Sequence, residues 1–235
     1  MAIDPGCMVC KTRWNCSMTH AIIQNVIPES VIQEYLKNIW EVNRYFNDSP
    51  TEFTLAGKTY DIANTLADKY RVHDFVVGPA QEFVGSERIF ASGWQLRLDR
   101  PSNASELLEW HRDYDYFQKL GPRGCVAWIP LTQLSEESGG IEVANGSFTL
   151  ENLTSEKKIK SWEGRKPHQV WECNYQGGDT ITAMCNPGDI VFFDLLTPHR
   201  SLLNRSSKTR TTLQIRFFAW DENTNATRSD IEKMV

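Results

Sequence analysis

The stretch from Gly188 to Phe218 constrains this chain most, because it reads as turn, strand and strand with reactive side chains built in. It opens on Pro187-Gly188, runs into the apolar Ile190-Val191-Phe192-Phe193, and places His199 eleven residues before Arg210, where a second β-rich run begins. Side chains alternate faces along a strand, so His199 and Ser201 share one face. If the loop Asn204 to Ser207 joins the two runs as a hairpin, antiparallel pairing sets Ser201 opposite Arg210 and His199 opposite Thr212. An imidazole, a hydroxyl and a guanidinium then line one side of a strand pair.

Their natural complement lies upstream, in Trp110-His111-Arg112-Asp113. His111 and Asp113 are two apart and point the same way from an extended segment. Two histidines and one carboxylate, with His199 following Asp113 by 86 residues, match the facial triad that holds non-haem Fe(II) and leaves positions open. Three protein ligands on one face leave three sites, enough for a chelating cosubstrate and O2. Imidazole and carboxylate suit Fe(II), whereas thiolates would favour zinc. Either histidine alone is more often a hydrogen-bonded structural residue; it is the combination with Asp113 and Arg210 that favours ligation.

At 235 residues, 40% of them hydrophobic and 11% aromatic, the chain has the material for one domain with a sizeable core. Its formal charge, 25 basic minus 30 acidic residues or −5, offers no basic stripe for nucleic acid. The cluster Lys157, Lys158 and Lys160 reads as a solvated loop face. No apolar run approaches the roughly 18 residues of a membrane span, and the start lacks the apolar core of a secretory signal, so a cytoplasmic protein with reduced thiols and no membrane partner is expected. Cys7, Cys10, Cys16 and His20 form C-x2-C-x5-C-x3-H, a spacing that a zinc knuckle could use, but the residues between are not a zinc-finger pattern. Cys125, Cys173 and Cys185 read as core or near-core residues. Asn-x-Ser/Thr triplets at Asn103, Asn145 and Asn204 are read as coincidence.

In chain order, residues 1 to 25 have little pattern. Pro28 suits a helix start, and Val31, Ile32, Tyr35, Leu36, Ile39 and Trp40 repeat at three and four to about Phe46. A second amphipathic helix runs from Asp61 to Tyr70, and a third, near Phe75 to Val84, is interrupted by Gly78-Pro79. From Ile89 the pattern changes to short β-rich runs: 89–98, 124–131, 140–144, 181–184, 189–194, 199–203 and 209–219. This predicts an α+β fold in one domain spanning 1–235: a helical buttress over about 28–85 and a β-sandwich over about 89–220. The polar stretch Asn145 to Gly178, with Trp162, His168 and Trp171, reads either as a lid or as a surface excursion.

The chain resembles the phytanoyl-CoA dioxygenase-like family of Fe(II)/2-oxoglutarate oxygenases. The resemblance runs from about Ile27 to about Trp220 and rests on five pieces in that family's order. These are Trp110 to Asp113, Val126 to Leu131, Ser138-Gly139-Gly140-Ile141-Glu142-Val143, Pro187-Gly188-Asp189, and His199 to Arg210. The family's usual Pro-Gly-Ser-His reads Asn145-Gly146-Ser147-Phe148 here. The resemblance implies a double-stranded β-helix (jelly-roll, cupin-like) core, iron on His111, Asp113 and His199, and a hydroxylase that couples oxidation of a small molecule to conversion of 2-oxoglutarate and O2 into succinate and CO2. It also implies that Arg210 and Ser201 meet the distal carboxylate of 2-oxoglutarate, and that Trp94, Gln95 and Trp128 lie at the cosubstrate and substrate pocket, although core packing serves the two tryptophans equally well. Asp113 argues against a halogenase, which lacks that carboxylate. A non-catalytic cupin-like protein that binds a metal or a small acid remains the alternative. Arg97, Arg100 and Arg123 could meet an acidic substrate or be paired surface arginines.

Overall fold

The computed structural model describes residues 19–44, 58–102, 107–160 and 168–220. Among the described residues, three helices precede most of the strands: α1 (Glu29–Arg44), α2 (Lys58–Lys69) and α3 (Val72–Val84). The carbonyl of Pro28 accepts the first amides of α1, from Val31 and Ile32, so Pro28 ends the preceding segment and Glu29 starts the helix. Ile32, Tyr35 and Ile39 form the buried stripe of α1, and Tyr35 donates its hydroxyl to the Ala63 carbonyl of α2 at 3.0 Å. Helix α3 continues through Pro79 despite the lost amide, because Val72, Val76 and Ala80 bury one face against the sheet. Packing here outweighs a local cost of about 3 kcal/mol.

Among the described residues, eleven strands follow the alternation read from the sequence, with three additions. They are β1 (His20–Ile23), β2 (Ile89–Ala91), β3 (Gln95–Asp99), β4 (Gly124–Pro130), β5 (Ile141–Ala144), β6 (Ser155–Lys160), β7 (His168–Cys173), β8 (Thr180–Ala183), β9 (Ile190–Asp194), β10 (His199–Ser201) and β11 (Arg210–Ala219). The additions are β1, β6 and β7. All pairing is antiparallel: a major sheet in the order β1-β9-β4-β11-β2 with β3 also on β11, a minor sheet β10-β5-β8, and a separate hairpin β6-β7.

The expected hairpin between the strands at His199 and Arg210 is not formed. Strand β10 pairs with β5, setting His199 opposite Val143 and Ser201 opposite Ile141, while β11 pairs with β4, β3 and β2. The loop between them crosses from the minor to the major sheet. That crossing makes the layers of a jelly roll, since successive strands then lie in opposite sheets.

Burial separates two cores by strand parity. Cys125, Ala127 and Ile129 of β4, with Leu213, Ile215 and Phe217 of β11, face the helices; Val126, Trp128 and Phe218 face the minor sheet with Ile141, Val143 and Ala183. All seven residues of β4 are buried because both faces are covered. Gly188 sits at φ 88° where a Cβ would strike the Ile27 carbonyl, so this turn requires glycine. Helices on the outside of a two-sheet β-helix give the α+β jelly roll that the residue pattern and the family resemblance predicted.

Candidate metal centre

The two histidines are brought together by a single antiparallel bridge outside the sheets. The His111 amide donates to the His199 carbonyl at 3.1 Å, and the His199 amide returns the bond at 3.0 Å. Their rings stand 4.2 Å apart between centroids. Arg112 keeps extended geometry and Asp113 then opens a short 3-10 turn, Asp113–Tyr116, which aims its carboxylate back at both imidazoles. Asp113 Oδ1 is 3.9 Å from His111 Nε2 and 3.7 Å from His199 Nε2, and ligand atoms of the three residues all lie within 4.8 Å of one another. All three are buried.

The imidazole tautomers follow from hydrogen bonding. His111 Nδ1 lies 2.8 Å from the Glu109 carbonyl and His199 Nδ1 lies 3.0 Å from the Thr197 carbonyl. A carbonyl only accepts, so each Nδ1 carries the proton and each Nε2 turns a lone pair toward Asp113. Burial, followed by the neighbouring imidazole, pushes the His111 pKa down to about 3, and burial likewise lowers His199. Burial alone would raise the Asp113 carboxyl, but Arg216 and the two histidines outweigh it and hold the group well below the usual carboxylate range. Neutral imidazoles and an ionised carboxylate at neutral pH are the protonation states that a divalent cation requires.

A cavity of about 350 Å3 opens beside this cluster. Ser201, Gln95 and Trp128 from the expected cosubstrate set line it, together with Arg97, Gln214 and Arg216. Trp94 instead packs in the core under the helices. Arg210 is absent from the lining of this cavity and borders a second one, with Ser138 and Lys208. Its Nη2 lies 3.0 Å from Asp99 Oδ2, and its Nη1 donates to the carbonyls of Ser138, Gly140 and Leu202 at 3.0, 3.2 and 3.0 Å. Asp99 joins Arg210 to Arg97, whose Nη2 reaches Asp99 Oδ1 at 2.9 Å. Burial tends to raise the Asp99 carboxyl, yet the two arginines hold it below its ordinary value.

Sequence reading missed the polar inner face of β11. Thr212, Gln214 and Arg216 continue the face begun by Arg210, although all ten residues of the strand are buried. Polar residues at every second position of a buried strand are the available signal, because desolvating them without partners is costly. Thr212 Oγ1 is buried without a protein hydrogen-bond partner, a donor that a bound anion on this face would satisfy. Thr211 Oγ1, on the opposite face, is also unpartnered, and nothing in the structure accounts for it.

Within the stretch 145–178, of which residues 161–167, with Trp162, lie outside the described residues, β6 and β7 pair as a hairpin beside the site. Gln169 and Val170 of β7 line the cavity. The hairpin is tied to the ligand segment: Arg112 forks onto Asp115 at 3.0 and 2.9 Å, Ser155 of β6 donates to Asp115 at 2.6 Å, and the Trp171 amide donates to the Tyr116 hydroxyl at 3.0 Å. Asp115 thus faces Arg112 and Ser155. Of the cysteine-histidine motif near the N-terminus, only His20 lies within the described residues, on β1. Cys125 and Cys185 are buried, as expected of core thiols. Asn204 is also buried, donating to the Asp99 and Lys208 carbonyls, which leaves no room for a glycan.

A jelly roll with a His-x-Asp…His cluster at the mouth of one cavity defines the class of metal-binding β-helix proteins. Within that class the chain belongs to the phytanoyl-CoA dioxygenase (PhyH) family, whose model matches residues 20–212. No curated protein matches it in sequence. Among solved structures it is similar to EvdO2 from Micromonospora carbonacea var. aurantiaca, at 20% identity and a TM-score of 0.68, covering 86% of this chain and 87% of that one. The epimerase SnoN, in complex with Fe3+, alpha ketoglutarate and nogalamycin RO, is 15% identical with a TM-score of 0.62, covering 86% and 79%. AviO1 from Streptomyces viridochromogenes Tue57 is 18% identical with a TM-score of 0.62, covering 86% and 90%.

Proposed function

We propose that this protein is an Fe(II)- and 2-oxoglutarate-dependent dioxygenase that hydroxylates a small molecule, with one catalytic domain spanning the chain. The observation that carries the reading is the Nε2, Nε2, Oδ1 cluster of His111, His199 and Asp113, whose donor set and open side suit Fe(II). Family membership and the iron and 2-oxoglutarate in the SnoN complex support it. Neighbours described as an epimerase and a carbocyclase share the fold; hydroxylation is the outcome proposed for this chain.

When bound, iron with 2-oxoglutarate and O2 supplies oxidation of an unactivated C–H bond, releasing succinate and CO2. The chain's residues bind and orient. Ser201 and Trp128 line the cosubstrate side of the cavity, with Gln95 offering its Nε2 donors, because its carbonyl oxygen already accepts from Arg216 and Gln214. We place the distal carboxylate at the Arg97-Asp99-Arg210 cluster. Arg97 meets it directly, and Arg210 does so by exchanging Asp99 for the ligand; a guanidinium fork suits either contact. Leu108, Tyr116, Phe117 and Val170 form the more apolar wall, where a substrate is shielded from water. A cytoplasmic setting belongs to the same reading, supported by the unpaired Cys125, Cys173 and Cys185; among the described residues no helix is long and apolar enough to cross a membrane.

The test is an anaerobic titration of the metal-free protein with Fe(II) and then 2-oxoglutarate, followed by visible absorption. A charge-transfer band that needs both ligands, and succinate released on admitting O2 with a library of candidate substrates, are the expected results. Tight metal binding with no 2-oxoglutarate complex would instead favour the non-catalytic alternative.

A further inference from the structure

We infer that Arg216 is a positioning residue for the metal carboxylate, braced by Gln95. The inference rests on the metal reading given above and concerns how Asp113 is held. Arg216 Nε donates to Asp113 Oδ2 at 2.6 Å, and its Nη1 donates to Gln95 Oε1 at 2.7 Å. Gln95 Oε1 also accepts from Gln214 Nε2 at 2.7 Å. The guanidinium is buried, and its carbon lies 6.0 Å from the Phe117 ring centroid. One oxygen of Asp113 is therefore committed to Arg216, while Oδ1 faces both imidazole nitrogens.

The consequence is a choice of denticity. A carboxylate free to rotate can offer one oxygen or two to a cation, and each extra oxygen closes a coordination position. With Oδ2 held by a charge-assisted bond, Asp113 presents Oδ1 alone and the open positions are kept. Strand parity explains the placement: Arg216 shares the inner face of β11 with Gln214, and Gln95 lies opposite Gln214 on β3.

The sign of the effect on metal affinity separates positioning from mere proximity. A guanidinium beside a dication repels it, so if Arg216 were a bystander its removal would tighten metal binding. If it orients the ligand, removal weakens binding, by about 10- to 100-fold as for other outer partners of metal ligands. The experiment is Co(II) titration of the metal-free protein at low and physiological ionic strength, read by calorimetry and by the visible d–d spectrum, without cosubstrate.

Arg216→Ala is expected to bind Co(II) about 10- to 100-fold more weakly with an altered spectrum, and Arg216→Lys to recover part of the loss, since it keeps charge but not the fork. Equal or tighter binding by Arg216→Ala with the wild-type spectrum overturns the inference. Failure of the wild-type protein to bind Co(II) overturns the metal reading itself, a result distinct from wild-type binding that Arg216→Ala leaves intact. Should Arg216→Ala not fold, Gln95→Leu carries the test. That change removes the brace and leaves the guanidinium in place. A weaker Co(II) affinity with a changed spectrum supports the inference, and an unchanged pair overturns it.

Discussion

At the scale of single residues, Asp113 and Asp99 are both buried carboxylates held ionised by arginine, yet they are set to different tasks. Asp113 turns one oxygen to the two imidazoles, whereas Asp99 has an arginine on each oxygen, Arg97 on Oδ1 and Arg210 on Oδ2. His111→Ala or His199→Ala is expected to abolish iron binding while leaving far-UV circular dichroism close to wild type, because the scaffold is held by apolar packing elsewhere. Metal analysis after dialysis against Fe(II) checks this. The two arginines around Asp99 should separate. Arg210→Ala removes one donor each from three carbonyls and from Asp99 Oδ2 and should cost about 3–5 kcal/mol of stability, read from denaturant midpoints. Arg97→Ala should leave stability closer to wild type and weaken 2-oxoglutarate binding at least about tenfold, the equivalent of about 1.4 kcal/mol. A 2-oxoglutarate dissociation constant that Arg97→Ala leaves unchanged and Arg210→Ala raises would assign the distal carboxylate to Arg210 alone.

At the scale of elements, β11 and the β6-β7 hairpin divide the work. Strand β11 runs through the middle of the major sheet, apolar toward the helices and polar toward the cavity, so the strand that holds the core together also delivers Gln214 and Arg216 to the site. Its tight fit against β4 is tested by Gly124→Ala, where the new Cβ would meet the Phe217 carbonyl oxygen. Backbone cannot yield as a flexible side chain can, so this variant should fall largely into the insoluble fraction or unfold several degrees earlier. The hairpin contributes wall rather than chemistry. Val170→Trp should therefore narrow the set of accepted substrates and leave Fe(II) and 2-oxoglutarate dissociation constants near wild type; loss of metal binding in that variant would show that the hairpin also holds the ligand segment in place.

At the scale of the whole molecule, ligand and proton binding both couple to folding. A metal that binds only the folded state at 100 times its dissociation constant adds about 2.7 kcal/mol, so Co(II) should raise the melting temperature of the wild type and not of His199→Ala. In the metal-free protein, His111 has its pKa depressed to about 3, from an ordinary 6.5. Above pH 6.5 both folded and unfolded forms are neutral and the full contribution is present. As pH falls below that value the unfolded chain takes up a proton that the folded one refuses, and stability is lost progressively down to about pH 3. His111→Asn should flatten this acid limb, measured as urea midpoints between pH 7 and pH 4.

The local pattern of residues was sufficient for the three helices, for most of the strands from Ile89 onward, and for selecting His111, Asp113 and His199 as a group. Period, turn residues and ligand chemistry are local properties that a linear chain displays directly. Strands β6 and β7 were missed because Ser155–Lys160 is mostly polar and its hairpin has water on one side. The pairing of β10 with β5 rather than β11 could not be read locally, since register between distant strands is decided by which faces must be buried together. The same reason hid Arg216. Its role depends on the 3-10 turn at Asp113 and on Gln95 across the sheet, contacts that exist only once strands far apart in sequence have closed around one cavity.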